Sequence, residues 1–210
     1  MRTFTVVTGI LAAAAVAVPM LCNAESNFQT GTTALTATAH VDFQITIPKF
    51  LFLRVGTGTG TAAGGFATLA TIDEITWAPT ALQLGNGTAI AGTGGDQTGG
   101  VETAVVVANN GNVTLSSTTT GPLSDGAAGD TISFTQIKTT ASAQTTGTVL
   151  QAPALADGAT TTVTLNAVNK VVQQDAKWAY TYLNTTVPAP GTYGGVGVNA
   201  GRVTYTASLP

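Results

Sequence analysis

Few residues in this chain are of a type that does chemistry, and their spacing does not bring them together. His40 is the only histidine, and Asp42 follows two positions later. An imidazole with a nearby carboxylate is the beginning of a general base, but both fall on the polar side of an alternating run, where a solvated strand edge accounts for them. Cys22 is the only cysteine, so neither a zinc nor a copper ligand set can be assembled from His and Cys. Asp73 and Glu74 invite an acid–base pair, yet neighbours in a strand point to opposite faces. Gly56, Gly58 and Gly60 do not complete a dinucleotide fingerprint, and no glycine-rich stretch ends in the Gly-Lys-Ser/Thr of a phosphate cradle. Asp96 and Asp125 lack calcium-loop spacing and are read as loop solubilisers. Asn-x-Thr triplets begin at Asn86, Asn112 and Asn184, a pattern that chance supplies in a threonine-rich chain. We expect no catalytic, cofactor-binding or metal-binding residues, and no enzymatic role.

The elements that would position any site are strands. Of the 210 residues only 8% are charged, while 44% are apolar, which is enough for a real core. Low charge, a formal net charge of −3 and the lack of a basic cluster exclude the electrostatic footprint of a nucleic-acid binder. Period-2 alternation dominates and no 3.6-residue apolar stripe persists, so the fold is expected to be all-β. The longest alternation sets Leu35, Ala37, Ala39, Val41, Phe43, Ile45 and Ile47 against Thr36, Thr38, His40, Asp42, Gln44 and Thr46. Its 13 residues would span roughly 43 Å, long for one strand of one domain. Part of it is therefore expected to pair elsewhere. After Pro48, residues 50–55 are apolar on both faces, as in a strand passing through or between sheets. Further strands are expected at 72–77, 81–84, 101–108, 112–116, 131–137, 160–168, 177–183 and 202–209. Asn110-Gly111 predicts a tight hairpin turn and Asn86-Gly87 a second, while glycine-rich 92–100 reads as a mobile loop tip.

Residues 1–24 read as a secretory signal, with Arg2 as the positive start, an apolar stretch from Phe4 to Leu21, and small residues before a cleavage point after Ala24. Acylation at Cys22 and a retained anchor are the alternatives. No later segment approaches a membrane span, so no membrane insertion of the mature chain is expected. The remaining chain would be an N-terminal extension, 25–39, and one domain, 40–210.

Near the other end, Trp178, Tyr180 and Tyr182 share one strand face, and a Pro- and Gly-rich turn (188–195) contains Pro190-Gly191-Thr192-Tyr193. A final run then alternates Val203, Tyr205, Ala207 and Leu209 with Thr204, Thr206 and Ser208, and stops at Pro210. The exported extension with alternating apolar residues, the Pro-Gly-x-Tyr turn and the last alternating strand together resemble subunits of chaperone-usher pili and their spore-coat-U-like relatives. That resemblance implies an immunoglobulin-like β-sandwich lacking its last strand. The gap would border the terminal strand with Val203, Tyr205, Ala207 and Leu209, and would be filled by the extension of the next subunit, with Phe28, Leu35, Ala37 and Ala39 turned inward. It further implies a homopolymer of identical subunits, a periplasmic chaperone, an outer-membrane usher, passage through the periplasm and a final place in an extracellular fibre. Single-domain length points to the shaft of a pilus. Two other readings stand beside it. One is a self-contained secreted β-sandwich that binds carbohydrate or another surface through its loops, with Trp77, Trp178 and Tyr182 as a sugar-stacking platform. The other is a coat or matrix layer protein.

Overall fold

The computed structural model describes residues 25–56, 66, 68–126, 129–145 and 147–210. The expected signal segment, Gly58 and Gly60 lie outside the described residues. The fold is all-β: twelve strands and a single 3₁₀ turn, Phe134–Gln136, make up the regular structure of the described residues. None of these elements is a helix long and apolar enough to cross a membrane. Pro48–Pro210 forms one unit, and the described residues 25–47 belong to another. The unit therefore begins at Pro48, eight residues beyond the position 40 expected from the pattern.

Residues 25–47 contain no strand and are exposed throughout. The long alternation expected at 35–47 is present as a sequence pattern, but it has no ladder partner, and without one its backbone gains nothing from being a strand. Glu25 and His40 meet instead: the Glu25 carboxylate lies 2.7 Å from His40 Nδ1 and accepts the His40 backbone N–H at 3.2 Å. A bend at 32–33 lies between them.

In Pro48–Pro210 the larger sheet runs β1 (Leu51–Val55), β5 (Val101–Ala108), β11 (Val172–Tyr182), with β9 (Ile137–Ser142) on the far side of β11 and β3 (Ile90–Ala91) beyond the end of β5. All its pairings are antiparallel; Leu53 faces Val106 across one, and Gln174 faces the same Val106 across the next. The smaller sheet is β10 (Thr160–Leu165), β6 (Val113–Thr118), β12 (Thr204–Ser208), also antiparallel. Two short ladders complete the set, β2 (Ile75–Thr76) with β4 (Thr93–Gly94) and β7 (Leu123–Ser124) with β8 (Thr131–Ile132). One apolar core joins the two larger sheets: Ala104, Val106 and Trp178 from one pack with Val113, Leu115 and Leu165 from the other. Threonine has a structural use here. Thr118 and Thr160 hydroxyls lie 2.8 Å apart across β6 and β10, and Ser117 and Thr161 hydroxyls 2.9 Å apart, cross-strand pairs that a valine could not make.

Several expected elements change. Asn109–Gly111 does form a tight turn, with Gly111 at φ +118°, but β5 and β6 lie in different sheets, so it is an arch between layers and not a hairpin. Residues 81–84 are a turn, closed by Gln83 N–H on Thr80 O at 2.9 Å. The strand expected at 131–137 is broken by the 3₁₀ turn, because Asp157 captures the Phe134 N–H at 2.7 Å and Ser133 caps the turn; β9 follows it. The glycine-rich stretch 92–100 is tied down: β4 pairs with β2, and Gly92 and Gly100 approach so closely that a Cβ on Gly100 would stand 2.6 Å from the Gly92 Cα. The two-faced apolarity of 50–55 is explained by β1's position. Leu53 and Val55 face the core, while Phe50 and Phe52 cover Val105 and Val107 on the outer face, with Phe66 packed on both rings at 5.3 and 5.1 Å.

Candidate functional site

Both larger sheets have an edge on the same side of the core. Among the described residues β1 pairs only with β5, and β12 pairs only with β6. At one end these two edges are held together, where the Lys49 ammonium donates to Pro210 O at 2.6 Å. Asn109 fastens the start of β1, accepting the Phe50 N–H at 2.9 Å and donating to Pro48 O at 2.7 Å. Towards the other end lies a groove of about 950 Å³, whose walls include Leu53 and Val55 of β1 and Thr204 and Tyr205 of β12. Its far wall is built from Ile75, Trp77, Tyr182 and Tyr193.

The terminal strand has the faces expected of it. Val203, Tyr205, Ala207 and Leu209 are all half-buried and packed against the core, while Thr204, Thr206 and Ser208 are exposed. Tyr193, in the Pro-Gly-x-Tyr turn, is half-buried at the groove and donates its hydroxyl back to Ala189 O at 2.8 Å. The residues expected to donate a strand are exposed: Phe28, Leu35, Ala37 and Ala39 all face solvent. Those four do not form one row, because Phe28 stands seven positions before Leu35, across the bend at 32–33, and an odd spacing reverses the face in a strand. The larger alternating residues follow them, with Val41, Phe43, Ile45 and Ile47 between 74% and 90% exposed. Of the rings considered for sugar stacking, Trp178 and Tyr182 are buried in the core, so no exposed platform joins them to Trp77.

The groove also has a polar floor that the sequence did not announce. The Tyr180 and Tyr205 hydroxyls lie 3.0 Å apart, and Tyr205 packs on Trp178 at 5.2 Å between ring centroids. Burial pushes both tyrosines up, Tyr205 to about 12, with the nearby Glu102 carboxylate adding to the effect. Glu102 itself lies on β5, 4% exposed, with its carboxyl held near the Asp73 side chain and accepting the Asp96 N–H at 3.2 Å. Burial, and then the neighbouring Asp73 and Asp96 charges, raise it from 4.5 to about 7, against the lowering effect of the Asp96 N–H bond. Gly56, at φ +77°, makes room for this pair: a Cβ there would stand 2.6 Å from an oxygen of each carboxyl. Asp73 thus reaches a distant carboxyl and not its neighbour Glu74. The available signal was Glu102 on the same strand face as Ala104, Val106 and Ala108, an acid on a core-facing row. Two groove donors have no hydrogen-bond partner, the Trp77 indole N–H and the Tyr182 hydroxyl.

No protein-family model, curated protein or solved structure matches the chain. What the site offers therefore rests on its own geometry: an apolar trough between two unpaired strand edges, with buried hydrogen-bond donors in its wall. Such a trough suits an extended polypeptide, whose main chain bonds to an open edge while alternate side chains enter the trough.

Proposed function

We propose that the protein is a structural subunit of an extracellular bacterial fibre, built by strand donation between identical copies. In this reading Pro48–Pro210 is an immunoglobulin-like β-sandwich lacking one strand, and an extension from a second copy supplies it. The observation that carries the proposal is the groove between β1 and β12, an open trough on a chain that also carries exposed alternating apolar residues at 35–47. An uncovered edge of this kind is an aggregation hazard for an exported protein, and a donated strand removes it. Burying three or four apolar side chains at about 1.5–3 kcal/mol each gives roughly 5–10 kcal/mol gross per junction, before ordering costs. That is enough for a durable polymer without covalent links. The resemblance to chaperone-usher subunits adds a periplasmic chaperone that shields the groove in transit and an outer-membrane usher that exchanges it for the next copy.

Electron microscopy of the exported protein, with gel migration of unheated and heated samples, tests this directly. Fibres and a detergent-resistant ladder are expected for the intact chain and absent after deletion of residues 25–47. A stable monomer in both would reject strand donation.

A further inference from the structure

We infer that the donated segment is residues 41–47, with Val41, Phe43, Ile45 and Ile47 entering the groove of a second copy, and that residues 25–40 stay outside it. This rests on the strand-donation reading and assigns its register.

Three observations lead to it. First, the groove runs past Val203 and Tyr205 of the terminal run and on along Ile75, Trp77 and Tyr193, and a strand laid in it needs a row of large apolar side chains on one face. Residues 41–47 supply four large apolar side chains on one face, all of them 74–90% exposed. Second, Leu35, Ala37 and Ala39 continue that face but carry one large side chain among them, and Phe28 is out of phase. Enclosing one phenylalanine and three β-branched residues removes roughly 400–500 Å² of side-chain surface, and a similar loss from the groove wall brings the total near the 1,000 Å² or so that a specific interface needs. The earlier set reaches only about half of that. Third, Glu25 and His40 close residues 25–40 into a loop through the 2.7 Å contact, which leaves 41–47 outside the loop.

An inserted main chain also brings carbonyl oxygens into a groove where the Tyr182 hydroxyl and the Trp77 indole N–H have no acceptor. The register has a mechanical consequence. Only Pro48 and Lys49 separate the inserted segment from Phe50, whose N–H is fixed by Asn109, so successive copies are joined by a connector too short to let them turn freely.

Full-length chains carrying Phe43→Asp, Ile45→Asp, Phe28→Asp or Ala37→Asp distinguish the registers, with the ladder on unheated gels as the measure of polymer. Polymer is expected to fall at least tenfold for the first two and to stay within twofold of wild type for the others. Since Phe43 is exposed outside the Pro48–Pro210 unit, Phe43→Asp should keep the wild-type melting temperature. Its groove remains able to accept a strand, so mixing it with wild type should cap growth and shorten fibres. Loss in Phe28→Asp or Ala37→Asp, or retention in Phe43→Asp and Ile45→Asp, overturns the register. Retention of polymer after deletion of residues 25–47 overturns strand donation itself.

Discussion

Two seven-residue runs in this chain have the same pattern and different surroundings. VTYTASL at 203–209 and VDFQITI at 41–47 each place four apolar residues on one side and three polar ones on the other. The first contains β12: its polar side is exposed, its apolar side touches the core, and Ala207 stands opposite Leu115 of β6. The second forms no strand, although its side chains are larger and more apolar. Alternation therefore assigns the two faces of a strand but not its neighbour. The neighbour comes from the ladder that a run joins: β12 pairs with β6, whereas 41–47 pairs with no described strand.

The largest expected difference between the runs is in the stability of the monomer. Tyr205→Ala should cost about 2–4 kcal/mol, because it leaves a cavity beside Trp178 and removes the hydroxyl partner of Tyr180. Phe43→Ala should stay within about 0.5 kcal/mol, since its ring is already in water. Urea denaturation of the monomer followed by tryptophan fluorescence measures both. Equal losses would mean that the 41–47 run is as well packed as β12.

Glu102 sharpens the comparison from the groove side. Its carboxyl sits at about 7 in the folded protein against an ordinary 4.5, so the folded state holds more protons than the unfolded chain between those values. Its contribution to stability is greatest below pH 4.5, falls as the pH rises towards 7, and is level above that. The fall should be about 1–3 kcal/mol. Glu102→Gln should flatten the dependence of the urea midpoint on pH between 5 and 8 and make the protein the more stable of the two at pH 8. A pH slope equal to wild type would show that some other group carries it. A strand lying in the groove would desolvate Glu102 further, so the slope should extend to higher pH in the polymer.

The strands legible in the sequence were those with a long β-branched or alternating pattern. β5, β12, the second half of β11 and the core-facing aromatics Trp178, Tyr180 and Tyr182 can all be read from period and residue type; the first half of β11, Val172–Ala176, was not expected, because its polar Gln173-Gln174-Asp175 run breaks the pattern. The short strands β3 and β4 were not, because two-residue ladders depend on what passes alongside them. The break at 133–136 was hidden too, since Asp157 makes it from 23 positions away. The part of the groove wall made by Val203 and Tyr205 was legible in the inward row of the terminal strand. In the groove's polar floor Glu102 left a signal, as an acid on the core-facing row of β5; its meeting with Asp73 did not, because that is a product of tertiary structure.

The smallest expected effect lies where the two kinds of surroundings meet. The exposed stretch ends at Lys49 and ladder pairing begins at Leu51, and the Asn109 side chain spans the change, donating to Pro48 O and accepting from Phe50 N–H. Asn109→Ala removes both bonds and should cost about 1–2 kcal/mol, with faster amide exchange at Phe50 and Phe52 and none at Tyr205 or Ala207. Asn109→Asp separates the two bonds: a carboxylate still accepts from Phe50 N–H but cannot donate to Pro48 O, and it sets a negative charge against that carbonyl. If the start of β1 is held by the Phe50 bond, Asp should protect the Phe50 amide nearly as well as Asn while the stability loss persists. If exchange at Phe50 rises equally in both variants, the Pro48 bond is the one that holds β1, and the boundary between exposed and paired chain is fixed at proline.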